Sequence, residues 1–90
     1  MQILQTNNFK KAVKKLQANQ KKELDAAIKE LIEDPLLGLQ KKGDLAYLRI
    51  FKFKMNKQLT LLGYSYTEGI LVLELMALSS HENFYRDINR

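Results

Sequence analysis

The sequence predicts an α+β fold: an N-terminal strand and a helical hairpin packed on one face of a small antiparallel sheet. Three observations predict it. Apolar residues recur at helical spacing between residues 9 and 32. From residue 51 onward they alternate with polar residues, which is the period of a strand. Ninety residues also suit one small domain, so we expect a single domain over 1–90 with the order β-α-α-β-β-β and a short polar C-terminal segment.

A short strand and a helix are predicted at the start of the chain. Ile3 and Leu4 begin an extended segment. We expect Asn7 or Asn8 to cap the first helix, because an asparagine side chain accepts hydrogen bonds from the free amides of the first turn. The apolar stripe of this helix consists of Phe9, Val13 and Leu16.

The second helix is expected to follow a break at Asn19-Gln20 and to end near Glu33. Pro35 sets this end, because the residue before a proline is disfavoured in the helical region. Two successive helices of this kind predict an antiparallel hairpin. The apolar stripe of the second helix consists of Leu24, Ala27, Ile28, Leu31 and Ile32.

Three strands are predicted after Gly38. In the first, Phe51, Phe53 and Met55 share one side, and the lysines between them share the other. The second strand spans 59–66 between turns at 56–57 and 67–69. The third, 70–78, is apolar on both sides except for one glutamate, which is typical of a central strand. We expect the helices to cover the phenylalanine side and the opposite face of the sheet to be left for function.

Composition excludes several classes of function. There is no cysteine, hence no disulfide, thiolate zinc site or cysteine nucleophile. No apolar stretch reaches the roughly 20 residues that span a bilayer, so we expect a cytoplasmic protein without a membrane partner. One histidine and scattered carboxylates lack metal-ligand spacing, so no metal or cofactor is expected. The net charge of +5 favours a polyanionic partner, although a merely solvated lysine surface is the alternative.

A polar cluster directly follows the last strand and contains His81 and Tyr85. If the strands are neighbours, this cluster lies beside Lys52 and Lys54, and the four side chains suit cleavage of an RNA backbone. The lysines would stabilise negative charge on the phosphate, and the histidine would transfer a proton. The alternatives are a surface histidine, a tyrosine that anchors the core, and lysines on a solvated face.

Glu74 stands alone in the last strand. Because a buried carboxylate must be paired or have a raised pKa, two roles are open. It is either an ion-pair partner for a lysine of the neighbouring strand or a general base. We expect it on the open face, with Ile70 and Val72.

Four short motifs follow one another along the chain: Asp34-Pro35, Gly43-Asp44-Leu45, Phe51-Lys52-Phe53-Lys54 and His81-Glu82-Asn83-Phe84-Tyr85-Arg86-Asp87. In this order and spacing they resemble the RelE/ParE superfamily, the toxins of bacterial type II toxin–antitoxin pairs. The resemblance covers nearly the whole chain. The tail in particular looks like the ending of one ParE-like subgroup.

The resemblance implies a site and two possible targets. RelE-like toxins cut messenger RNA on the ribosome without a metal, whereas ParE-like toxins inhibit DNA gyrase. By resemblance, Lys52 and Lys54 would hold the phosphate, and His81 and Tyr85 would complete the site. Many of the nucleases also carry an arginine on the second of the three strands predicted after Gly38, where this chain offers only Gln58 and Thr60. Further RNA or phosphate contacts are expected from Arg86 and Lys57.

We therefore expect a toxin that forms a hetero-oligomer with a cognate antitoxin. The expected activity is metal-independent, ribosome-dependent cleavage of messenger RNA. Inhibition of gyrase and a non-catalytic interaction domain are the alternatives.

Overall fold

The computed structural model describes residues 1–77 in full, together with the backbone of Leu78, and it confirms the predicted α+β fold. The two helices separate the N-terminal strand from the strands that follow. In chain order the elements are β1 (Gln2–Gln5), α1 (Asn7–Lys14), α2 (Ala18–Glu33), β2 (Leu39–Gln40), a 3-10 turn (Gly43–Leu45), β3 (Arg49–Met55), β4 (Gln58–Thr67) and β5 (Ile70–Leu78).

The described strands form one five-stranded sheet in the order β1-β5-β4-β3-β2. The predicted antiparallel arrangement of β3, β4 and β5 is confirmed. Two details differ from the prediction. β1 runs parallel to β5, which is possible because residues 6–69, with the helical hairpin and three strands, separate them by far more than the dozen residues that a parallel connection requires. The two-residue strand β2, which pairs with the start of β3, is too short to leave a periodic pattern in the sequence.

Both predicted helix starts are displaced toward the N-terminus. Thr6, not Asn7 or Asn8, caps α1: its hydroxyl oxygen accepts from the N–H of Phe9 at 3.2 Å. Thr6 prevails because β5 already fixes it, through an N–H···O bond of 3.0 Å to Leu73.

The break between the helices lies at 15–17 rather than at Asn19-Gln20. Gln17 caps α2 in a capping box, in which its own N–H donates to Oε1 of Gln20 at 2.8 Å. Gln20 therefore belongs to the first turn of the helix. The predicted end of α2 at Glu33 is confirmed.

Both predicted turns are confirmed, and each is a two-residue hairpin loop. Asn56 and Lys57 have φ values of 53° and 66°, and Glu68 and Gly69 have values of 52° and 79°. Two successive residues with positive φ are typical of the type I′ turn, whose twist matches the strands it joins. These turns fix the register of β3, β4 and β5.

The predicted core is confirmed on the helix side of the sheet, with one error. Ile32 is exposed, because it lies one residue round the helix from the buried Leu31. The buried members are Phe9, Leu24, Leu31, Met55, Leu62, Tyr64, Leu71 and Leu73; packed against them and partly buried are Val13, Leu16, Ile28, Phe51, Phe53, Tyr66 and Met76.

The sequence predicted that the opposite face of the sheet is left for function, but part of this face is buried. Leu48, Ile50 and Leu61 form a second buried cluster, against which Leu75 packs. By strand alternation Ile50 lies on the side of Lys52 and Lys54, and Leu61 pairs with Lys52. A β-bulge between β4 and β5 contributes to this cluster. Glu74 pairs with no residue of β4 in the strand register, so Leu75 lies on the side of Leu61, whereas Leu71 and Leu73 lie on the helix side.

Candidate functional site

Lys52 and Lys54 project from the sheet face opposite the helices, and both are exposed. We call this face, which carries Ile50, Lys52, Lys54 and Leu61, the lysine face. Phe51 and Phe53 are half-buried on the other side, with their rings stacked 6.0 Å apart. The predicted register of β3 is therefore confirmed, and a rigid strand holds the two lysine backbones.

The C-terminal end of β5 lies close to this lysine pair. Leu78 is paired with Thr60, and Thr60 is paired with Phe53, which lies between the two lysines. Since neighbouring strands are about 4.8 Å apart, roughly 10 Å separates the backbone at the end of β5 from that of β3. The predicted site residues His81, Tyr85 and Arg86 lie outside the described residues. They follow the strand end by three, seven and eight positions.

Lys57 lies at the same end of the sheet, in the exposed turn that joins β3 to β4. Its left-handed backbone conformation is set by the hairpin, so its position relative to Lys54 is fixed by the turn geometry. A third cation thus stands near the lysine pair.

Glu74 lies apart from these cations. Its Oε1 accepts a hydrogen bond from the hydroxyl of Ser65 at 3.3 Å, and the residue is half-buried. The rise of a strand, about 3.3 Å per residue, places it roughly 13 Å before the end of β5. Within the described part of the chain its side-chain partner is Ser65.

Arg49 supports the fold rather than the lysine face. Its guanidinium lies on the helix side, where Nη1 donates to the carbonyl oxygens of Gly38 at 2.8 Å and Leu36 at 3.3 Å. These bonds hold the chain between α2 and β2 against the sheet. The positive charge of Arg49 is therefore absent from the face that carries Lys52 and Lys54.

Tyr64 also binds the segment between α2 and β2 to the sheet. Its buried hydroxyl donates to the carbonyl oxygen of Pro35 at 2.8 Å and accepts from the N–H of Gly38 at 2.9 Å. Burial raises the pKa of Tyr64, and the charge of Asp34 adds to this, while the Gly38 N–H and Arg49 oppose it. A Cβ at Gly38 would lie 2.8 Å from the phenol oxygen, so glycine is required there.

Within residues 1–78, no three or more histidine or acidic side chains are grouped so that they could hold a metal ion. No helix of this part of the chain has the length and apolar character needed to cross a bilayer.

Comparison with known proteins gives the family. No curated protein matches the chain significantly. A family model described as the ParE-like toxin of type II bacterial toxin–antitoxin systems matches residues 3–89. This match includes both helices, all five strands and the polar tail, in agreement with the resemblance seen in the sequence motifs. The chain therefore belongs to the ParE-like toxins of type II bacterial toxin–antitoxin systems.

Proposed function

We propose that this toxin inhibits translation by metal-independent cleavage of messenger RNA on the ribosome. The observation that carries the proposal is the pairing of the end of β5 with Thr60, beside the two exposed lysines of β3. The described part of β5 therefore ends roughly 10 Å, two strand spacings, from the strand that carries Lys52 and Lys54. Such an arrangement provides cations on a rigid strand and titratable groups within a few residues of a second one.

The proposed chemistry is an attack of the ribose 2′-hydroxyl on the adjacent phosphorus. The O–P bond that forms gives a cyclic phosphate, and the P–O5′ bond breaks. Lys52 and Lys54 stabilise the added negative charge. His81 takes the proton of the 2′-hydroxyl or supplies one to the leaving oxygen, which is typically worth about 10²–10⁴-fold in rate. Tyr85 stacks on a base or assists the transfer, while Arg86 and Lys57 hold neighbouring phosphates.

We assign the proton transfer to His81 rather than to Glu74. The Glu74 carboxylate is bonded to Ser65, several residues before the end of β5. A general base must come within hydrogen-bond reach of the proton that it removes. A structural role for Glu74, in fixing β5 against β4 at the bulge, agrees better with its surroundings.

The test is to map message ends after the toxin is induced, with and without a block on translating ribosomes. We expect discrete new ends that disappear when translation is blocked. The double variant His81→Gln, Tyr85→Phe keeps the side-chain shapes and should abolish these ends. A folded double variant that cuts messages as well as the wild type would refute the assigned roles.

A second candidate is inhibition of DNA gyrase, and one observation favours it. The residues of β4 that pair with Lys52 and Lys54 are Leu61 and Leu59. β4 therefore adds no cation to the lysine face, where many RNA-cleaving relatives have an arginine. In the same induction experiment, intact messages together with relaxed or broken DNA would select gyrase.

The family implies an antitoxin that neutralises the toxin. We propose that toxin and antitoxin form a stable hetero-oligomer in the cytoplasm. Harmless overexpression of the wild-type toxin alone would contradict both candidate functions.

A further inference from the structure

A shallow groove of about 370 Å³ runs between helix α2 and strand β3, and Lys54 of the proposed site lies at its rim. It has an apolar floor and two carboxylates on its helical wall. The residues that line it are Glu23, Ala26, Ala27, Glu30, Phe53 and Lys54.

The floor is apolar because two alanines of α2 line the groove beside Phe53. Ala27 is buried and Ala26 is exposed, so neither covers the ring of Phe53 completely. Phe53 stays half-buried and stacks on Phe51. Covering such exposed apolar surface with another apolar side chain lowers the free energy.

The helical wall is acidic. Glu23 and Glu30 are seven residues apart, which is about 10.5 Å along a helix. The Glu23 carboxylate is fixed at one end of the groove, because its Oε2 accepts from the N–H of Asn56 at 2.7 Å. Glu30 is exposed at the other end and has no side-chain bond to a described residue.

These carboxylates belong to the acidic part of an otherwise basic chain. No aspartate or glutamate occurs in residues 1–22, although the chain as a whole carries a net charge of +5. Half of its ten acidic residues lie within 23–34, namely Glu23, Asp25, Glu30, Glu33 and Asp34. Net charge predicts an acidic partner, but the groove is lined by two carboxylates against the single ammonium group of Lys54, so its helical wall fits a partner that carries a cation.

We propose that the groove between α2 and β3 is a docking site for an antitoxin segment in which arginine or lysine flanks an apolar side chain. The apolar side chain covers Phe53 and the two alanines, and a cation pairs with Glu30. The proposal uses the antitoxin that the family implies, and it does not depend on the cleavage of messenger RNA. It predicts that the antitoxin contains a segment with a basic and an apolar residue, in addition to any acidic segment that contacts Lys52 and Lys54.

The test measures the affinity between the toxin and the antitoxin encoded beside it. Glu30→Lys reverses the charge in the groove and should raise the Kd by about tenfold or more, since like charges at an interface are strongly unfavourable. Asp25→Lys is the matched control: it makes the same charge change at an exposed position on the same helix, outside the groove. The control should change the Kd by no more than about twofold.

An uncharged pair of variants tests the apolar floor. Ala26→Gln narrows the groove and should weaken binding, whereas Ala18→Gln, at the exposed start of α2, should not. Circular dichroism of each variant would establish that it folds. If folded Glu30→Lys and Ala26→Gln proteins both bind the antitoxin as tightly as the wild type, the docking proposal is wrong.

Message mapping separates this proposal from the proposed function. If the wild-type toxin cuts no message and Glu30→Lys still loses affinity for the antitoxin, the groove proposal stands and the cleavage proposal fails. If messages are cut but neither groove variant changes the affinity, the cleavage proposal stands and the groove proposal fails.

Discussion

The two faces of the sheet are built from alternate residues of the same strands, yet they differ in what covers them. On the helix side, Phe51 and Phe53 pack into a large core under α1 and α2. On the lysine face, Lys52 and Lys54 stay exposed beside a small cluster around Leu61. A shift of register by one residue would exchange the two sets, so the fold and the proposed site depend on the same register.

This difference implies that stability and toxicity can be changed separately. Substitutions on the helix side should act mainly on the free energy of unfolding, and substitutions on the lysine face mainly on activity. The following variants test that separation in order of decreasing effect on stability.

The largest effect is expected from Leu62→Ala. Leu62 is fully buried on the helix side of β4, and truncating such a leucine costs about 2–5 kcal/mol in free energy of unfolding. Urea denaturation at 25 °C measures this cost. Leu39→Ala is the control, because Leu39 is 70% exposed. Equal losses in the two variants would contradict the position of the core.

Tyr64→Phe should cost about 1–3 kcal/mol, because it leaves the buried Gly38 N–H without its acceptor. The Pro35 carbonyl oxygen also loses its donor. Denaturation curves of this variant should shift without a change of slope. An unchanged midpoint would show that the segment before β2 is held in some other way.

The same variant gives a prediction about pH. Burial raises the pKa of the Tyr64 phenol above its ordinary value of 10.0. Above that value the unfolded chain loses the proton while the folded chain keeps it, so stability falls as pH rises. The contribution is fully present below pH 10 and is lost as pH rises through the folded pKa. The free energy of unfolding, measured from pH 8 to 11.5, should therefore decline more steeply in the wild type than in Tyr64→Phe.

Thr6→Val should cost about 0.5–2 kcal/mol, the usual range for a helix cap. The Thr6 hydroxyl accepts from Phe9 and also donates to the carbonyl oxygen of Glu74, so it joins α1 to β5. Asn7→Ala and Asn8→Ala are controls at the neighbouring positions, and neither should cost as much. A larger loss at Asn7 or Asn8 would restore the cap that the sequence suggested.

The smallest effect on stability, within about 0.5 kcal/mol, is expected from the double variant Lys52→Ala, Lys54→Ala. Toxicity should nevertheless be lost, because phosphate contacts supply affinity for nucleic acid. Lys10→Ala, Lys11→Ala removes the same charge from the exposed face of α1 and should stay toxic. If growth arrest by the first variant matches the wild type at equal expression, the lysine face is not the site.

Sequence periodicity predicted the parts of the fold that repeat over several residues. The alternation at Phe51-Lys52-Phe53-Lys54 determined the register of β3, and Pro35 determined the end of α2. Features that depend on a partner distant in the sequence were missed. Thr6 caps α1 because Leu73 holds it, and nothing local distinguishes it from Asn7.

The lysine face was predicted only in part. Its lysines followed from alternation, but the cluster of Leu48, Ile50 and Leu61 did not, because Leu48 comes from the loop before β3. Gly63 offered a usable sign of the bulge, since an isolated glycine in a strand often marks one. A Cβ there would lie 3.0 Å from Leu75, and the register shift follows directly after it. The groove beside α2 was missed because it joins residues from two separate elements.

The parallel pairing of β1 with β5 has a consequence for how the protein is made. The two strands are close in space, but the whole helical hairpin and the other three strands are translated between them. While a ribosome is still translating the first 69 residues, β1 has no neighbour in the sheet. Contacts of such long sequence separation form late. The sheet is therefore completed only after residues 70–78 have been translated, and a nascent or truncated chain that stops before Ile70 lacks β5, the strand that joins β1 to β4.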